Sequence, residues 1–520
     1  MQLIKELILI DKGARTPMYL QITHAIIQGI NQGKLRKGLR LPGARQIADL
    51  LKINRLTVVA AFRELELQGW LEMRPQKGAF VKVDLPTLAP KRLVDGGGAA
   101  SGRVGRVGRS GRVGGNGRDG GNGGKGEDGA VFHLPERPGF TYKEKKILPF
   151  YSPDYPPAGK LVLDAGFPDA RLAPIEDLVR SIRSLARRSF NKKFLTYGGS
   201  QGTSFLREML AVYLNDTRGL AITPENILIT KGAQMGLYIS SALLLQPGDE
   251  VIVGTPGYAR ANRSFQLTGA KINYIRMDES GLDTERVEKI CKTKTVRMVY
   301  VIPHHHHPTT VTLIPERRLH LLELAARYRF AIMEDDYDYD FHYASKPMMP
   351  MASLDRNGNV IYIGTLSKSL APAIRVGFMV APERFIRSAT SLRKAIDTQG
   401  DGLIENAIAE LYKDGTIGRH IKKSVRLYQE RRDHFCELLS QELGDRISFS
   451  VPEGGMSVWA DFLGNRLPAV VEKAYKNGLI LSDGTDYDTG RIKYNSTTLG
   501  FASLNAGEQE KAVAALRKSI

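Results

Sequence analysis

The chain has 520 residues, 42% hydrophobic and 25% charged, a balance that fits a globular protein of two or three domains and excludes a chain too polar to fold. Two distant cysteines, Cys291 and Cys436, exclude a disulfide framework and a cysteine-built zinc site, and no run of about 18 apolar residues marks a membrane span. The net charge of +19 points to an anionic partner, nucleic acid first, and residues 1–95 carry sixteen basic against eight acidic side chains. The opening MQLIKELILIDKGAR contains acids and no secretory cleavage pattern, so a cytoplasmic location is expected.

In chain order, Leu20, Ile22, Ile26, Ile27 and Ile30 fall at helical spacing. A short helix is expected over Arg45 to Leu51, then a second capped by Asn54 and running to about Gln68. Two short helices joined by a tight turn, the second opening with Arg55, Leu56 and Thr57, are what a helix-turn-helix needs to place its N-terminal residues in the major groove. Leu71 to Val81 follows as two strands around a tip at Lys77 and Gly78, a basic wing able to reach phosphate or the minor groove.

Residues 96–130 are dominated by glycine with interspersed arginines and cannot build a core. They are expected to form a flexible spacer whose coil spans roughly 30 Å.

Beyond about residue 134, short β-branched runs alternate with helix-length segments: Ile227–Thr230, Glu250–Gly254, Lys271–Ile275, Arg297–Ile302, Phe330–Glu334 and Val360–Ile363. This alternation predicts an α/β domain around a largely parallel sheet, with chemistry at the strand ends. After Val360–Ile363 come Gly364, Thr365, Ser367, Lys368, Arg375 and Gly377. A lysine amine among hydroxyls and an arginine suits anchoring of an aldehyde cofactor bearing a phosphate, as in pyridoxal phosphate; by itself the same segment also reads as a surface turn. Asp335 offers a carboxylate for a pyridine nitrogen and Tyr337 a phenol for the ring hydroxyl, although acids at a strand end also serve as metal ligands or caps. Ala233 and Gln234 open a helix whose amides suit phosphate, and Tyr258 stands where an aromatic can stack on a ring.

Two resemblances follow from these motifs. The stretch from Leu41 to Val81, with Arg45, Arg55, Thr57, Val58, Phe62, Leu65, Gly69, Leu71 and Gly78, resembles the winged helix of GntR-type bacterial regulators, with Gly43 and Lys77 as departures. Tyr197 to Gly202, Gly232 to Gln234, Pro256 to Tyr258, Glu334 to Tyr337, Ser367–Lys368 and Arg375 to Gly377 resemble fold-type I aminotransferases; the order of the two parts resembles the MocR subfamily, of which GabR is the best-known type. The resemblance implies a multidomain protein: a winged helix-turn-helix over 1–84, a flexible linker over 85–133 and an α/β aminotransferase-like domain of fold type I over 134–520. It implies Lys368 as the Schiff-base lysine, with Asp335 on the pyridine nitrogen, Tyr337 on the ring hydroxyl, Tyr258 stacked on the ring, and Ala233, Gln234, Thr365, Ser367 and Arg375 around the phosphate. Arg260 matches a position implicated in holding an effector's acid group. DNA contacts are expected from Arg45, Arg55, Thr57, Lys77 and Gly78, and a homodimer is implied.

One departure bears on function. Aminotransferases usually carry a carboxylate-clamping arginine where this chain has Thr498, which cannot form a bidentate charged pair. The expected function is a regulator that binds an operator and pyridoxal phosphate and senses an amine, an amino acid or the cofactor, with little steady transamination. An active aminotransferase is the alternative, and a cofactor-free DNA binder leaves Lys368, Asp335, Tyr337 and Arg375 unexplained. The run His304 to His307 lacks spacing for a metal site.

Overall fold

The computed structural model describes residues 2–11, 13, 17–74, 76–82, 141, 159–187, 196–343, 348–489 and 492–520; the expected linker, 85–133, lies outside them. The chain divides into two units, Met1–Pro138 and Gly139–Ile520.

The first unit contains α1 (Gln2–Leu7), α2 (Met18–Asn31), α3 (Ala44–Leu51) and α4 (Arg55–Leu67), closed by an antiparallel hairpin of β1 (Leu71–Arg74) and β2 (Gly78–Val81). Its core unites Ile22, Ile26 and Ile30 of α2, whose spacing marked that helix, with Ile47, Val58, Phe62, Leu65 and Trp70. Helix α1, which had no expectation, adds Ile4. Gly78 opens β2 rather than forming the tip; Gln76 and Lys77 make the turn, with the Lys77 N–H bonded to Arg74 O at 3.0 Å.

The second unit begins with β3 (Leu161–Leu163), α5 (Ile175–Arg187) and α6 (Ser204–Arg218), followed by β4 (Ile227–Thr230), α7 (Ala233–Leu244), β5 (Glu250–Thr255) and α8 (Ala259–Leu267). It continues through β6 (Lys271–Asp278), β7 (Gly281–Leu282), α9 (Thr284–Cys291), β8 (Val296–Val301), α10 (Pro315–Tyr328), β9 (Ala331–Asp336), α11 (Met351–Leu354), β10 (Val360–Thr365) and β11 (Gly377–Val380). The C-terminal part comprises α12 (Glu383–Asp397), α13 (Gly402–Lys413), α14 (Thr416–Leu443), β12 (Ile447–Phe449), β13 (Ser457–Phe462), α15 (Leu467–Lys476), β14 (Leu479–Leu481), β15 (Ser496–Gly500) and α16 (Ala506–Arg517).

The eight-stranded sheet runs β4-β11-β10-β9-β8-β5-β6-β7. Pairings from β10 through β6 are parallel, whereas β11 is antiparallel to both β10 and β4. Alternate residues bury on opposite faces. Val251, Val253, Met298 and Met333 meet one helical layer, and Ile252, Val299, Val301 and Ile332 meet another containing Leu321 and Leu324. A second core surrounds the antiparallel sheet β12-β13-β15 with α14, α15 and α16.

Strand β9 corrects the expected strand end: it runs on to Asp336, two residues past Glu334, so Asp335 and Asp336 lie within the sheet with Glu334 instead of on a loop. The physical reason is that each carboxylate has its own partner there. Glu334 accepts the N–H groups of Met351 and Ala352, both at 2.8 Å, Asp335 accepts from Tyr300, and Asp336 accepts from Tyr362.

Close backbone approach fixes the strand ends that matter most. A Cβ on Gly377 would lie 2.7 Å from Gly232 C, 2.8 Å from Gly232 Cα and 2.9 Å from Gly364 O. Gly377→Ala is therefore expected to destabilise the large unit by about 1–3 kcal/mol, read as a lower urea midpoint; an unchanged midpoint would show that the strands relax without cost.

Candidate functional site

In the first unit, Asn54 caps α4 by accepting the Leu56 N–H at 2.8 Å, which fixes the helix start. Val58, Ala61, Phe62 and Leu65 face the core. That leaves Arg55 exposed, Leu56 71% exposed and Thr57 half-buried at the N-terminal end. Arg45 on α3 and Lys77 on the wing are also exposed. Arg74 is used within the wing, paired with Glu72 at 3.1 Å and lying 4.8 Å over the Phe80 ring. Sequence reading missed Arg40, which bridges to Phe80 and lies beside Gly78. Leu56, named with Arg55 and Thr57 at the helix opening, stands exposed off the buried period of α4.

In the second unit, sheet register brings the expected residues to one end. Thr365 pairs with Gly377 and Gly377 with Thr230, while Ile363 stands opposite Asp335. Just beyond Thr230, Gly232 at φ 76° caps α7, so the amides of Ala233 and Gln234 open that helix without intrahelical acceptors. The Arg375 guanidinium lies where a Gly232 Cβ would be, 2.6 Å from Nη2, and donates to Lys231 O at 3.0 Å. Thr365 Oγ1 and Ser367 Oγ are 2.9 Å apart. The Gln234 side chain is turned to Ser264 Oγ at 2.8 Å and Arg260 O at 3.2 Å, leaving its buried Oε1 unmatched among the described residues.

Lys368 Nζ donates to the Gly166 carbonyl and lies 4.8 Å from the Phe167 ring and 5.7 Å from the Tyr337 ring. Burial lowers its pKa below the ordinary lysine value, against the opposing pull of Asp164 and Asp338. Asp164 and Gly166, about two hundred residues earlier, were missed because nothing local marks them. Asp164 is held by the N–H groups of Gly166 at 2.7 Å and Phe167 at 2.8 Å, and by Ser503 Oγ at 3.0 Å.

Asp335 Oδ2 accepts the Tyr300 hydroxyl at 2.8 Å, while Oδ1 is buried with no partner among the described residues. Burial pushes Asp335 up to about 7, the Tyr300 bond pulling back and Asp336 adding to the rise. Tyr337 donates to His305 O at 3.0 Å. Tyr258 meets the edge of His307 with centroids 5.5 Å apart.

The four histidines diverge. His304 Nε2 bonds Met348 O at 2.6 Å, His305 bonds Asp338 at 3.0 Å and His342 at 3.2 Å, and His306 bonds Thr309 at 2.8 Å. Burial brings both His306 and His307 down to about 3. Among the described residues no His, Cys, Asp or Glu group is arranged for a metal ion. Thr498 is buried in β15, and its Oγ1 lies 3.2 Å from the Tyr487 hydroxyl.

These features fit a phosphorylated pyridine aldehyde. The unmatched Asp335 oxygen suits a ring N–H, the cradle at Gly232 with the α7 amides and Arg375 suits a phosphate, and a lysine of lowered pKa stands nearby.

Residues 158–516 match the family described as aminotransferase class I and II, and residues 18–81 match bacterial regulatory proteins of the gntR family. The chain is 27% identical over 499 residues to the uncharacterized HTH-type transcriptional regulator YisV of Bacillus subtilis, covering 94% of each. It is 28% identical over 459 residues to the regulatory protein MocR of Rhizobium meliloti, covering 88% of this chain and 84% of that one. The kynurenine aminotransferase of Pyrococcus horikoshii, solved in complex with PMP, aligns with a TM-score of 0.65 and 29% identity over 70% of this chain and 91% of that one. The chain belongs to the aminotransferase class I and II family, in the MocR/GabR subfamily of GntR regulators. It is a DNA-binding regulator carrying a fold-type I aminotransferase-like domain, and pyridoxal phosphate is the cofactor of that domain.

Asp335 yields a pH prediction. Its folded value of about 7 lies above the ordinary 3.8, so the folded state keeps a proton that the unfolded chain releases. The stability it contributes is therefore lost as pH rises from about 4 to about 7. In cofactor-free protein, Asp335→Asn should gain stability relative to wild type between about pH 5 and pH 8 in urea denaturation; a pH-independent difference would refute the raised value.

Proposed function

We propose that the chain is a cytoplasmic, homodimeric transcription regulator that binds an operator through its winged helix and senses an amine or amino acid at Lys368. The observation that carries this reading is one chain holding both an exposed helix N-terminus with Arg55 and, in its large unit, a half-buried lysine of lowered pKa together with a buried Asp335 oxygen unmatched among the described residues. When bound, pyridoxal phosphate supplies an aldehyde carbon that takes a primary amine, Lys368 Nζ in the resting state. Ala233, Gln234, Thr365, Ser367 and Arg375 would hold the phosphate, Tyr258 and Tyr337 would lie against the ring, and Asp335, its Oδ2 kept in place by Tyr300, would accept the ring N–H.

An effector amine that took the place of Lys368 would pass its proton to the freed lysine, whose ammonium Gly166 O, Asp164 and Asp338 are placed to hold. Differential affinity of the effector for two arrangements of the large unit is what would change operator binding. Arg260 is assigned to an acid group borne elsewhere on an effector. Steady transamination of α-amino acids is disfavoured by Thr498, which offers no cation.

Lys368→Ala is expected to abolish the visible absorbance band of cofactor-loaded protein while leaving DNA binding measurable; an unchanged spectrum would sink the assignment. Arg55→Ala should weaken operator binding by about 1–3 kcal/mol and relax specificity if it reads a base. Equal loss on operator and random DNA would reassign it to phosphate.

A further inference from the structure

An α-amino acid carries its carboxylate carbon about 2.5 Å from its nitrogen, so an amine brought to the position of Lys368 Nζ confines that carboxylate to the lysine's own surroundings. Among the described residues, the groups found closest to that amine are anionic or apolar. Lys368 Nζ meets the Gly166 carbonyl and the rings of Phe167 and Tyr337, and the charges acting on it are the carboxylates of Asp164 and Asp338.

From Tyr337 a continuous wall leads away. His307 lies 6.4 Å from Tyr337, 5.5 Å from Tyr258 and 5.8 Å from Tyr487 by ring centroid, and Trp459 meets the edge of Tyr487 at 5.1 Å. The wall ends at Thr498, tied to the Tyr487 hydroxyl. None of these groups is cationic: His307 is neutral in its buried position, and the charge acting on Tyr487 is the carboxylate of Asp486. Arg375 is taken up at the α7 N-terminus, and Arg260, whose charge reaches Tyr258, His307 and Asp486, is already engaged. A carboxylate on the amine-bearing carbon would lose its water and meet other carboxylates, whereas an incoming ammonium is drawn by Asp164 and Asp338. Phe167, 46% exposed beside Lys368, adds apolar surface for a ligand body to cover.

On the sensor reading of this site, we propose that its effector is a primary amine bearing no carboxylate on the amine-bearing carbon, with an aromatic body lying along Tyr258, His307, Tyr337 and Tyr487.

Phenethylamine and phenylalanine differ only in that carboxylate. Each is titrated into full-length, cofactor-loaded protein, following the visible band and, in parallel, operator affinity. Phenethylamine should half-saturate the band change at a concentration at least ~30-fold below phenylalanine, from leaving a buried charge unpaired in the latter. Phenylalanine acting at equal or lower concentration, with operator affinity responding, would overturn the amine assignment and leave the sensor reading standing. A band moved preferentially by phenethylamine with operator affinity unchanged would support the ligand class and overturn the sensor reading. A band moved by neither compound overturns both.

Discussion

Three consecutive carboxylates inside a central strand are the constraint that the large unit is arranged to satisfy. Burying a carboxylate costs several kcal/mol unless hydrogen bonds or charge replace its water, and apolar residues of similar size would hold a sheet together more cheaply. Strand alternation separates the three into two tasks. Glu334 and Asp336 share one face, where the first amides of α11 hold Glu334, and Tyr362 and the charge of Arg218 hold Asp336. Asp335 points the other way, towards Tyr300; its second oxygen is buried and unmatched among the described residues, as is the second oxygen of Asp336. The same period that builds the sheet thus turns Asp335 to the face opposite its two acidic neighbours.

The opposite end of the cofactor site depends on an absence of side chains. Strands β4, β11 and β10 can bring Thr230, Gly377 and Thr365 abreast only because Gly377 leaves room for Gly232 and Gly364. Gly232 in turn takes a positive φ and yields its Cβ space to Arg375. Arg375 is itself left-handed at φ 55°, a strain that places its guanidinium at a helix start instead of in solvent. A phosphate there would meet helix amides and a fixed cation together.

Much of this was legible in the sequence because it is local. The six β-branched runs became β4, β5, β6, β8, β9 and β10, since short apolar runs between turn residues suit strands buried on both faces. Asn54 capped α4 where an Asx residue precedes a periodic helix. What escaped is non-local. Asp164, Gly166 and Phe167 reach Lys368 only through the pairing of β3 with β14 and the packing of β15, which no motif announces. The Tyr487 bond to Thr498 joins a short 3-10 turn to a strand eleven residues later. The strand end at Glu334 was placed too early because three acids in a row argue for a loop until their partners, 17 to 35 residues away, are in view.

The contacts of Lys368 also indicate how a change at the amine is felt elsewhere in the large unit. The Lys368 ammonium acts on Asp164 and Asp338 and bonds Gly166 O, so an amine that displaced it or freed it would change the charge facing those two carboxylates. Asp164 is bonded through Ser503 to the segment between β15 and α16, and Gly500 leaves space for the same carboxylate, a Cβ there falling 2.3 Å from its Oδ1. Strand β3, immediately before Asp164, is paired to β14 within the C-terminal part. The charge state of one amine therefore bears on a loop anchored at Asp164 to the smaller sheets, whereas the Gly232, Thr365 and Arg375 group rests on the large sheet. A chain of contacts becomes a switch only if the loop has two arrangements that the ligand binds unequally. The loop around Gly166 meets the first requirement of such an element: it touches the reacting amine directly and is anchored to a different layer from the one that holds the cofactor.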